Sequence, residues 1–330
     1  MIRRARIYIS KSFDPHRNLA LEEYFLRHLE PETAVFYLWQ NDRTIVIGKN
    51  QNPFQECRTG KMEQDGVFLA RRKTGGGAVY HDKQNLCFTF VVPREDYDYQ
   101  RQASVILDTL QSYGLQGEIT GRNDMVVDGR KFSGNAFTFK EEVACHHGTL
   151  LIQTDMSCMA DYLQVSLEKL QSKGVKSVRS RVINLHELNP DITVEGIKPR
   201  LVDSFQKVYN VPCTAGSVEE LNQEELEQLY QEYSSPEFLF GATPAFNVEL
   251  QGRATLYQIH IHADVVKGKV QQCKVYSDAL DTEFVEGVEK ALLGADFHSE
   301  ALCQALKAYF GEEKQSLTDA LCTFLMEKNF

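Results

Sequence analysis

Three consecutive glycines, residues 75–77, directly follow the basic segment 71–74, Arg-Arg-Lys-Thr. Glycine has no Cβ, so its backbone can adopt positive φ and approach a ligand closely. Successive amide N–H groups in such a turn can surround an anion, and arginine adds paired donors for a phosphate or carboxylate. Apolar segments 66–70 and 86–92 predict strands that hold this loop. The pattern indicates a nucleotide or acyl-phosphate site, although it fits neither standard phosphate-loop motif; the alternative is a mobile glycine hairpin with a solvated basic edge.

A second polar cluster surrounds a predicted hairpin. Asp128-Gly129 separates two short apolar strands and is a strong signal for a two-residue turn. Before the hairpin, Asn123 and Asp124 offer oxygen ligands suited to a Mg²⁺ ion that bridges nucleotide phosphates. On the second strand, Lys131 could present its ammonium group to an anion. This segment alone also fits a solvent-exposed Lys131 and an Asp124 that caps a turn.

The cysteines and histidines form no disulfide or metal-binding pattern. Eight cysteines occur without a C-x-x-C pair, and several lie in apolar runs, which is typical of buried thiols. Cys145-His146-His147 is a candidate metal or nucleophile cluster, but neighbours on a strand point to opposite faces, so the three cannot all ligate one ion. His260 and His262 share a strand face without an evident third ligand. We expect no tightly bound metal or prosthetic group.

The charge is unevenly distributed along the 330 residues. The net charge is −10, and the acidic excess lies after residue 200, whereas segment 169–181 is basic. One basic surface on an acidic protein suits a specific anionic ligand or an acidic protein partner. Nucleic-acid binding would require a wider basic face with aromatic residues, and no apolar run is long enough to span a membrane. The basic N-terminus is not followed by the apolar stretch of a signal peptide, so we expect a cytoplasmic protein.

The element pattern predicts an α+β fold, because strands cluster with hairpins and do not alternate regularly with helices. Asp14-Pro15 predicts the start of the first helix. From about residue 246 a new strand–turn–strand pattern begins, so we expect two domains, 1–245 and 246–330. The predicted strands are 3–10, 34–40, 44–48, 66–72, 86–92, 116–120, 124–127, 130–133, 147–153, 258–265 and 270–276; the predicted helices are 16–29, 101–113, 157–171, 193–209, 219–233, 282–293, 298–309 and 314–327.

Taken together and in this order, these motifs resemble the lipoate–protein ligase A family. The resemblance rests on the glycine run with its flanks (Arg-Arg-x-x-Gly-Gly-Gly-Ala-Val-Tyr-His-Asp), on Gly-Arg-Asn-Asp at 121–124, on Asp-Gly-Arg-Lys-x-Ser-Gly-Asn-Ala at 128–136 and on His-His-Gly-Thr-Leu-Leu at 146–151. It extends to segments 14–23, 176–185 and 240–246, and thus covers essentially the whole chain. The family implies a large mixed-sheet catalytic domain of the biotin/lipoate ligase type and a small α+β C-terminal domain.

The resemblance implies a two-step reaction. Lipoate and ATP, with Mg²⁺ as part of the substrate complex, give lipoyl-AMP and pyrophosphate. A lysine amine of a lipoyl carrier domain then attacks the mixed anhydride, which gives an amide and AMP. The implied carriers are 2-oxoacid dehydrogenase E2 subunits and the glycine cleavage H protein.

The family's site residues carry over by position. Lys131 corresponds to the catalytic residue that contacts both the lipoate carboxylate and the α-phosphate, and Asp124 to the Mg²⁺ contact. The loop 167–185 resembles the family's adenylate-binding loop. Thr138 stands where family members often have a basic residue, so that contact is in question. The implied ATP-binding residues are Arg72, Gly77, Ala78, Val79, Tyr80, Asn123, Asp124, Lys131, Ser177 and Arg179; the implied lipoate-binding residues are Lys131, Gly75, Gly76, His81, Trp39, Leu19 and His147.

Three alternatives remain open at this point. Related octanoyl and lipoyl transferases use a preformed acyl donor, some through a cysteine nucleophile, for which Cys145 is the candidate. A biotin-type ligase would use the same chemistry, but its Gly-Arg-Gly-Arg-Arg-Gly loop is absent. A non-catalytic protein that senses lipoate or its adenylate is the third possibility, and an intact Lys131 and Asp124 argue against it.

Overall fold

The computed structural model describes residues 1–121, 123–163, 182–240, 248–255, 257–266 and 268–328. The chain forms two compact units. The first comprises Met1–Val46, Phe54–Arg71 and Val79–Leu239, and the second comprises Ile47–Pro53, Arg72–Ala78 and Phe240–Phe330. The glycine run therefore clusters with the second unit. The expected boundary at 245 lies outside the described residues and stays a prediction.

The first unit contains an eight-stranded mixed sheet with the order β11-β1-β2-β6-β10-β9-β8-β7. β1 pairs in parallel with β2 and β11, and the other neighbouring strands are antiparallel. A second, three-stranded sheet has the order β4-β3-β5. The strands are β1 Arg4–Ile9, β2 Thr33–Trp39, β3 Thr44–Ile47, β4 Phe68–Arg71, β5 Val79–His81, β6 Asn85–Pro93, β7 Gly117–Thr120, β8 Asp124–Val127, β9 Arg130–Phe139, β10 Val143–Leu151 and β11 Cys213–Ala215.

The large sheet is covered on both faces. Strand β6 is buried on both of its faces. Leu86, Phe88 and Phe90 pack in one apolar core, whereas Cys87 and Val91 pack in another. This follows from the two-residue period of a strand. The helices of the first unit are Pro15–Arg27, Pro53–Glu56, Thr59–Gln64, Tyr99–Gln111, Met156–Tyr162, Leu185–Leu188, Val194–Tyr209, Gln223–Ser234 and Pro236–Phe240.

The second unit has a three-stranded antiparallel sheet, β12 Val248–Ala254, β13 Tyr257–Val266 and β14 Lys269–Ser277. Helices Thr282–Leu292, Ser299–Phe310 and Gln315–Lys328 contribute to its own apolar core. The mixed α+β architecture that the sequence predicts is confirmed. Within the described ranges, no helix is long and apolar enough to cross a membrane.

Two features that local sequence signals predict are present in the structure. The Asp14 side chain accepts hydrogen bonds from the backbone N–H groups of His16 and Arg17, and the helix begins at Pro15. Asp128 and Gly129 have φ of 51° and 70°, and both values are positive as a type I′ hairpin turn requires. Both predictions are confirmed.

Several element boundaries differ from the sequence-based expectation. β9 continues to Phe139 and β10 starts at Val143, because the two strands pair with each other beyond the predicted ends. The expected helix 157–171 begins at Met156 and ends at Tyr162, where Leu163 bridges to Cys57; positions 164–171 lie outside the described residues. Strands β5, β11 and β12 were not predicted. β5 and β11 have only three residues each, too few for a periodic signal.

Candidate active site

The hairpin brings a lysine and a carboxylate together. Lys131 Nζ lies 2.7 Å from Asp124 Oδ1, and the two side chains are 35% and 40% exposed. The pairing of β8 with β9 explains the approach. Val126 pairs with Lys131 but Met125 pairs with Ser133, so Phe132 is an extra residue in β9. This bulge re-aims side chains locally, and Phe132 is fully buried in the core while Lys131 stays accessible.

Gly134 makes room for the Lys131 side chain. A Cβ at position 134 would lie 2.9 Å from Lys131 Nζ and 3.0 Å from Lys131 Cε. Both distances are shorter than ordinary van der Waals contact. The observed position of the ammonium group therefore requires glycine at 134, for reasons of space and not of φ.

The backbone of Lys131 is also held. Its carbonyl accepts a hydrogen bond of 2.9 Å from Ile183 N–H, and Lys131 forms a parallel bridge with Val182. The residues that directly follow segment 164–181 are thus hydrogen-bonded to the backbone of Lys131. Ser177 and Arg179, two of the expected ATP-binding residues, and Arg122 lie outside the described residues.

A series of polar side chains, joined by hydrogen bonds, holds the turn that carries Asp124. Asn123 Nδ2 donates to Asn135 O at 2.7 Å, and Asn135 Nδ2 donates to Asn123 O at 3.0 Å. Asn135 Oδ1 lies 2.8 Å from His146 Nε2, and His146 Nδ1 lies 3.0 Å from the Gln102 side chain. Burial lowers the pKa of His146 well below its usual value, so the ring is neutral. Sequence reasoning missed Gln102, Asn135 and this role of His146, because no local pattern relates them.

A second polar chain joins two of the expected lipoate-binding residues. Trp39 Nε1 donates to Thr89 Oγ1 at 3.0 Å, and Thr89 Oγ1 donates to Glu22 Oε2 at 2.7 Å. Both Glu22 carboxylate oxygens lie 2.9 Å from His147 Nδ1. Leu19 belongs to the same apolar cluster as Trp39. The structure therefore brings Leu19, Trp39 and His147 into one region and adds Glu22 and Thr89, which the sequence did not reveal.

Cys145 lies in this region as well. The potential ligand atoms of Glu22, Cys145 and His147 all lie within 4.8 Å of one another, whereas His146 faces the opposite side and contacts Phe88. The expectation that Cys145, His146 and His147 cannot share one ion is confirmed. Cys145 is fully buried, and burial, with a smaller effect of nearby Glu22, raises the pKa of its thiol well above the usual range. It is therefore a buried, protonated thiol.

His81 and Tyr80 lie on strand β5. The His81 ring packs edge-on against Trp39, with centroids 6.3 Å apart, so it adjoins the region of Trp39 and His147. Tyr80 is buried, and this burial raises the pKa of its hydroxyl. Val79 and Tyr80 pair with Val46 and Ile45 of β3.

The glycine run makes contacts within the second unit. The Arg72 guanidinium donates to the carbonyl oxygens of Gly75 and Gly77 at 2.7 and 2.8 Å. Gly76 has φ of 94° and its N–H donates to Ala279 O at 3.2 Å. A Cβ at Gly75 would lie 2.4 and 2.5 Å from the carbonyl oxygens of Ala279 and Leu280. In this conformation the close backbone contact with residues 279–280 requires glycine at position 75 and the positive φ favours it at position 76, whereas nothing lies within 4 Å of a Cβ at position 77.

A polar cavity of about 430 Å³ lies beside the hairpin in the first unit. Its lining includes Arg130, which precedes Lys131, and Val182, which bridges to it. Thr154, Asp155 and Glu187 supply polar and charged atoms. This lining contrasts with the aromatic and apolar surroundings of Trp39.

Comparisons with known proteins identify the class of α+β protein to which this chain belongs. The model of the lipoyl protein ligase A/B catalytic domain matches residues 14–206, and that of the bacterial lipoate protein ligase C-terminus matches residues 243–321. A protein of Bdellovibrio bacteriovorus named lipoate-protein ligase A is 40% identical over 324 residues, which cover 95% of each chain.

Solved structures support the same assignment. The P. falciparum protein LipL1, solved in complex with lipoate, superposes with a TM-score of 0.85 at 27% identity and covers 98% of this chain and 99% of its own. A bipartite lipoate protein ligase of Thermoplasma acidophilum, described together with its E2 lipoyl domain, has a TM-score of 0.66 at 25% identity and covers 75% of this chain and 100% of its own. The chain belongs to the lipoate–protein ligase A family.

Proposed function

We propose that this protein is an ATP-dependent lipoate–protein ligase. The lipoate carboxylate attacks the α-phosphorus of ATP, which forms lipoyl-AMP and releases pyrophosphate. The amine of a carrier lysine then attacks the acyl carbon, an amide forms, and AMP leaves. The observation that carries the proposal is Lys131 on the hairpin, paired with Asp124 at 2.7 Å in a member of this ligase family.

Lys131 addresses the main electrostatic problem of the first step. A carboxylate must approach a polyphosphate, and both are negatively charged. An ammonium group placed between them offsets this repulsion and stabilises the charge that develops in the transition state. The ion pair with Asp124 and the bridge to Val182 hold Lys131 in a defined position, which favours alignment of the reacting groups.

Asp124 is the proposed Mg²⁺ contact. Carboxylate oxygens are the ligands that Mg²⁺ prefers, usually together with substrate phosphates. Asp124 is partly exposed and uses Oδ1 for Lys131, and the side chain of neighbouring Asn123 is bonded to Asn135. The Asp124 carboxylate is therefore the group that would hold Mg²⁺, and Mg²⁺ bound with ATP would neutralise phosphate charge.

The region of Leu19, Trp39, His81 and His147 is the proposed lipoate slot. Its aromatic and apolar surroundings suit a hydrocarbon chain and a dithiolane ring, and the relative LipL1 was solved with lipoate. Arg72, Gly77, Ala78, Val79 and Tyr80 are proposed as ATP contacts on family position alone.

The proposed partners are lipoyl carrier domains, the E2 subunits and the H protein. Support comes from the Thermoplasma relative, which is described with its E2 lipoyl domain. Absence of disulfides among the eight cysteines, all of which the structure describes, agrees with a reducing compartment such as the cytoplasm.

A transferase that acts through Cys145 is the less favoured candidate. His147 and Glu22 lie close to the thiol, as a nucleophile–base arrangement would need. Full burial and the raised thiol pKa oppose formation of the reactive thiolate.

The proposal is tested by incubation of the protein with ATP, Mg²⁺, lipoic acid and a lipoyl domain. Mass spectrometry should show a lipoyl amide on one carrier lysine, and pyrophosphate should appear in equal amount. Lys131→Ala should reduce lipoate-dependent pyrophosphate release by at least about 100-fold, because it removes a charged contact to the transition state, with an unchanged thermal transition. Modification that requires no ATP, or that is lost in Cys145→Ser but kept in Lys131→Ala, would contradict the ligase proposal.

A further inference from the structure

Two backbone carbonyls determine the orientation of a buried asparagine pair. Asn18 Nδ2 lies 2.8 Å from Gln40 O and 3.1 Å from Ser12 O. Both partners are acceptors only, so this end of the Asn18 amide must be the NH₂ group. The same Nδ2 lies 3.0 Å from Asn41 Oδ1. Asn41 therefore directs its oxygen towards Asn18 and its NH₂ group the other way.

The NH₂ group of Asn41 faces a histidine nitrogen. Asn41 Nδ2 lies 3.2 Å from His81 Nδ1, and an amide NH₂ can only donate, so Nδ1 must accept. A neutral imidazole has a single N–H, which consequently lies on Nε2. The Cys87 thiol is 3.5 Å from the same Nδ1. Burial raises the pKa of Cys87, so its S–H stays protonated and is a second weak donor to that nitrogen.

His147 has the opposite arrangement. Its Nδ1 lies 2.9 Å from both oxygens of Glu22, and a carboxylate can only accept. Nδ1 of His147 therefore carries a proton, and in the neutral ring Nε2 does not. Nδ1 therefore accepts a hydrogen bond in His81 and donates one in His147.

We propose that Asn41 is a positioning residue that holds His81 in the Nε2–H tautomer, so that His81 donates a hydrogen bond to the bound acid or its adenylate. Asn41 itself is fully buried and acts through His81. The kinetic part of this inference rests on the proposed function, in which His81 lines the lipoate slot. The tautomer itself follows from the geometry alone.

The test uses the full-length protein labelled with ¹⁵N in its histidines. Long-range ¹H–¹⁵N correlation spectra at about pH 8, above the ordinary histidine pKa, distinguish the two tautomers, and a His81→Gln sample assigns the signal. We expect His81 to show Nε2–H and His147 to show Nδ1–H in the same spectrum. A wild-type His81 that shows Nδ1–H would overturn the inference, and this measurement needs no folded Asn41 variant.

Asn41→Asp extends the test to function. Aspartate keeps the oxygen that accepts from Asn18, but its second oxygen faces His81 Nδ1 as an acceptor. His81 should then show the Nδ1–H pattern, and the KM for lipoate should rise roughly tenfold through loss of one hydrogen bond while the KM for ATP stays unchanged. Equal changes in both KM values, or an unchanged tautomer, would contradict the positioning role.

A matched control separates this effect from a general effect of the substitution. Asn189→Asp changes another asparagine, whose Nδ2 donates to Tyr113 O, and should leave the His81 spectrum and both KM values unchanged. Failure of the two proposals is distinguishable. If the wild-type protein releases no pyrophosphate from ATP and lipoate, the ligase proposal fails, whereas the tautomer is still decided by the spectra.

Discussion

Gly134→Ala should impair the proposed adenylation step without destabilising the fold. The added Cβ would lie 2.9 Å from Lys131 Nζ, whereas an ordinary contact is about 3.5–4.0 Å. The ammonium group must therefore move by roughly 0.6–1 Å. Misplacement of a reacting group by about 1 Å can reduce the rate about 100-fold. Because the lysine side chain is flexible, we expect a decrease of roughly 10- to 100-fold, or about 1.4–2.7 kcal/mol in the activation barrier.

The folded state of the Gly134→Ala protein should be as stable as the wild type or slightly more stable. Gly134 is not among the glycines with positive φ, so alanine is not strained by the backbone, and the loss of glycine in a strand can stabilise by about 0.5 kcal/mol. The assay is lipoate-dependent pyrophosphate release, with the midpoint of thermal unfolding measured on the same samples. Gly60→Ala is the matched control, because nothing lies within 4 Å of its Cβ position. A Gly134→Ala protein that adenylates at the wild-type rate would refute the argument that glycine positions Lys131.

Two further predictions concern stability. Burial lowers the pKa of His146, so below about pH 6.5 the unfolded chain binds a proton there that the folded chain does not. Stability should therefore fall with decreasing pH by up to about 1.4 kcal/mol per unit, and urea denaturation at pH 7 and pH 5 should show a smaller loss for His146→Gln; an equal loss would contradict this assignment. Gly148→Ala should destabilise by about 1–3 kcal/mol, since its Cβ would lie 2.5 Å from the Phe88 ring and 2.6 Å from Asn135 Oδ1; an unaltered thermal midpoint would be inconsistent with that packing.

The candidate site was only partly accessible from the sequence. Lys131 and Asp124 lie close together because the Asp128-Gly129 turn folds their strands back on each other, and that signal is local. Glu22 and His147 form a contact across 125 positions of the chain, and nothing in the sequence marks Glu22 as its partner. The role of Gly134 could not be predicted from the sequence either, because it depends on where the Lys131 side chain lies.

The glycine run also combines a feature that the sequence predicted with one that only the folded structure shows. The sequence indicated a turn that needs glycine, and Gly76 does have a positive φ. Its expected role in anion binding stays a prediction, because in this structure the Gly76 N–H donates to Ala279 O. That contact joins residues about 200 positions apart, and only the folded chain reveals it.

The sequence by itself determined the α+β class, the hairpin, the first helix and the family to which the chain belongs. These depend on turn chemistry, capping and periodicity, which act over a few residues, and on motifs whose order survives in the primary structure. Only the tertiary structure decided the bulge at Phe132, the buried chains that end at His146 and His147, and the space that Gly134 leaves for Lys131. Those features depend on strand register and side-chain packing between distant segments, which are settled when the whole core forms.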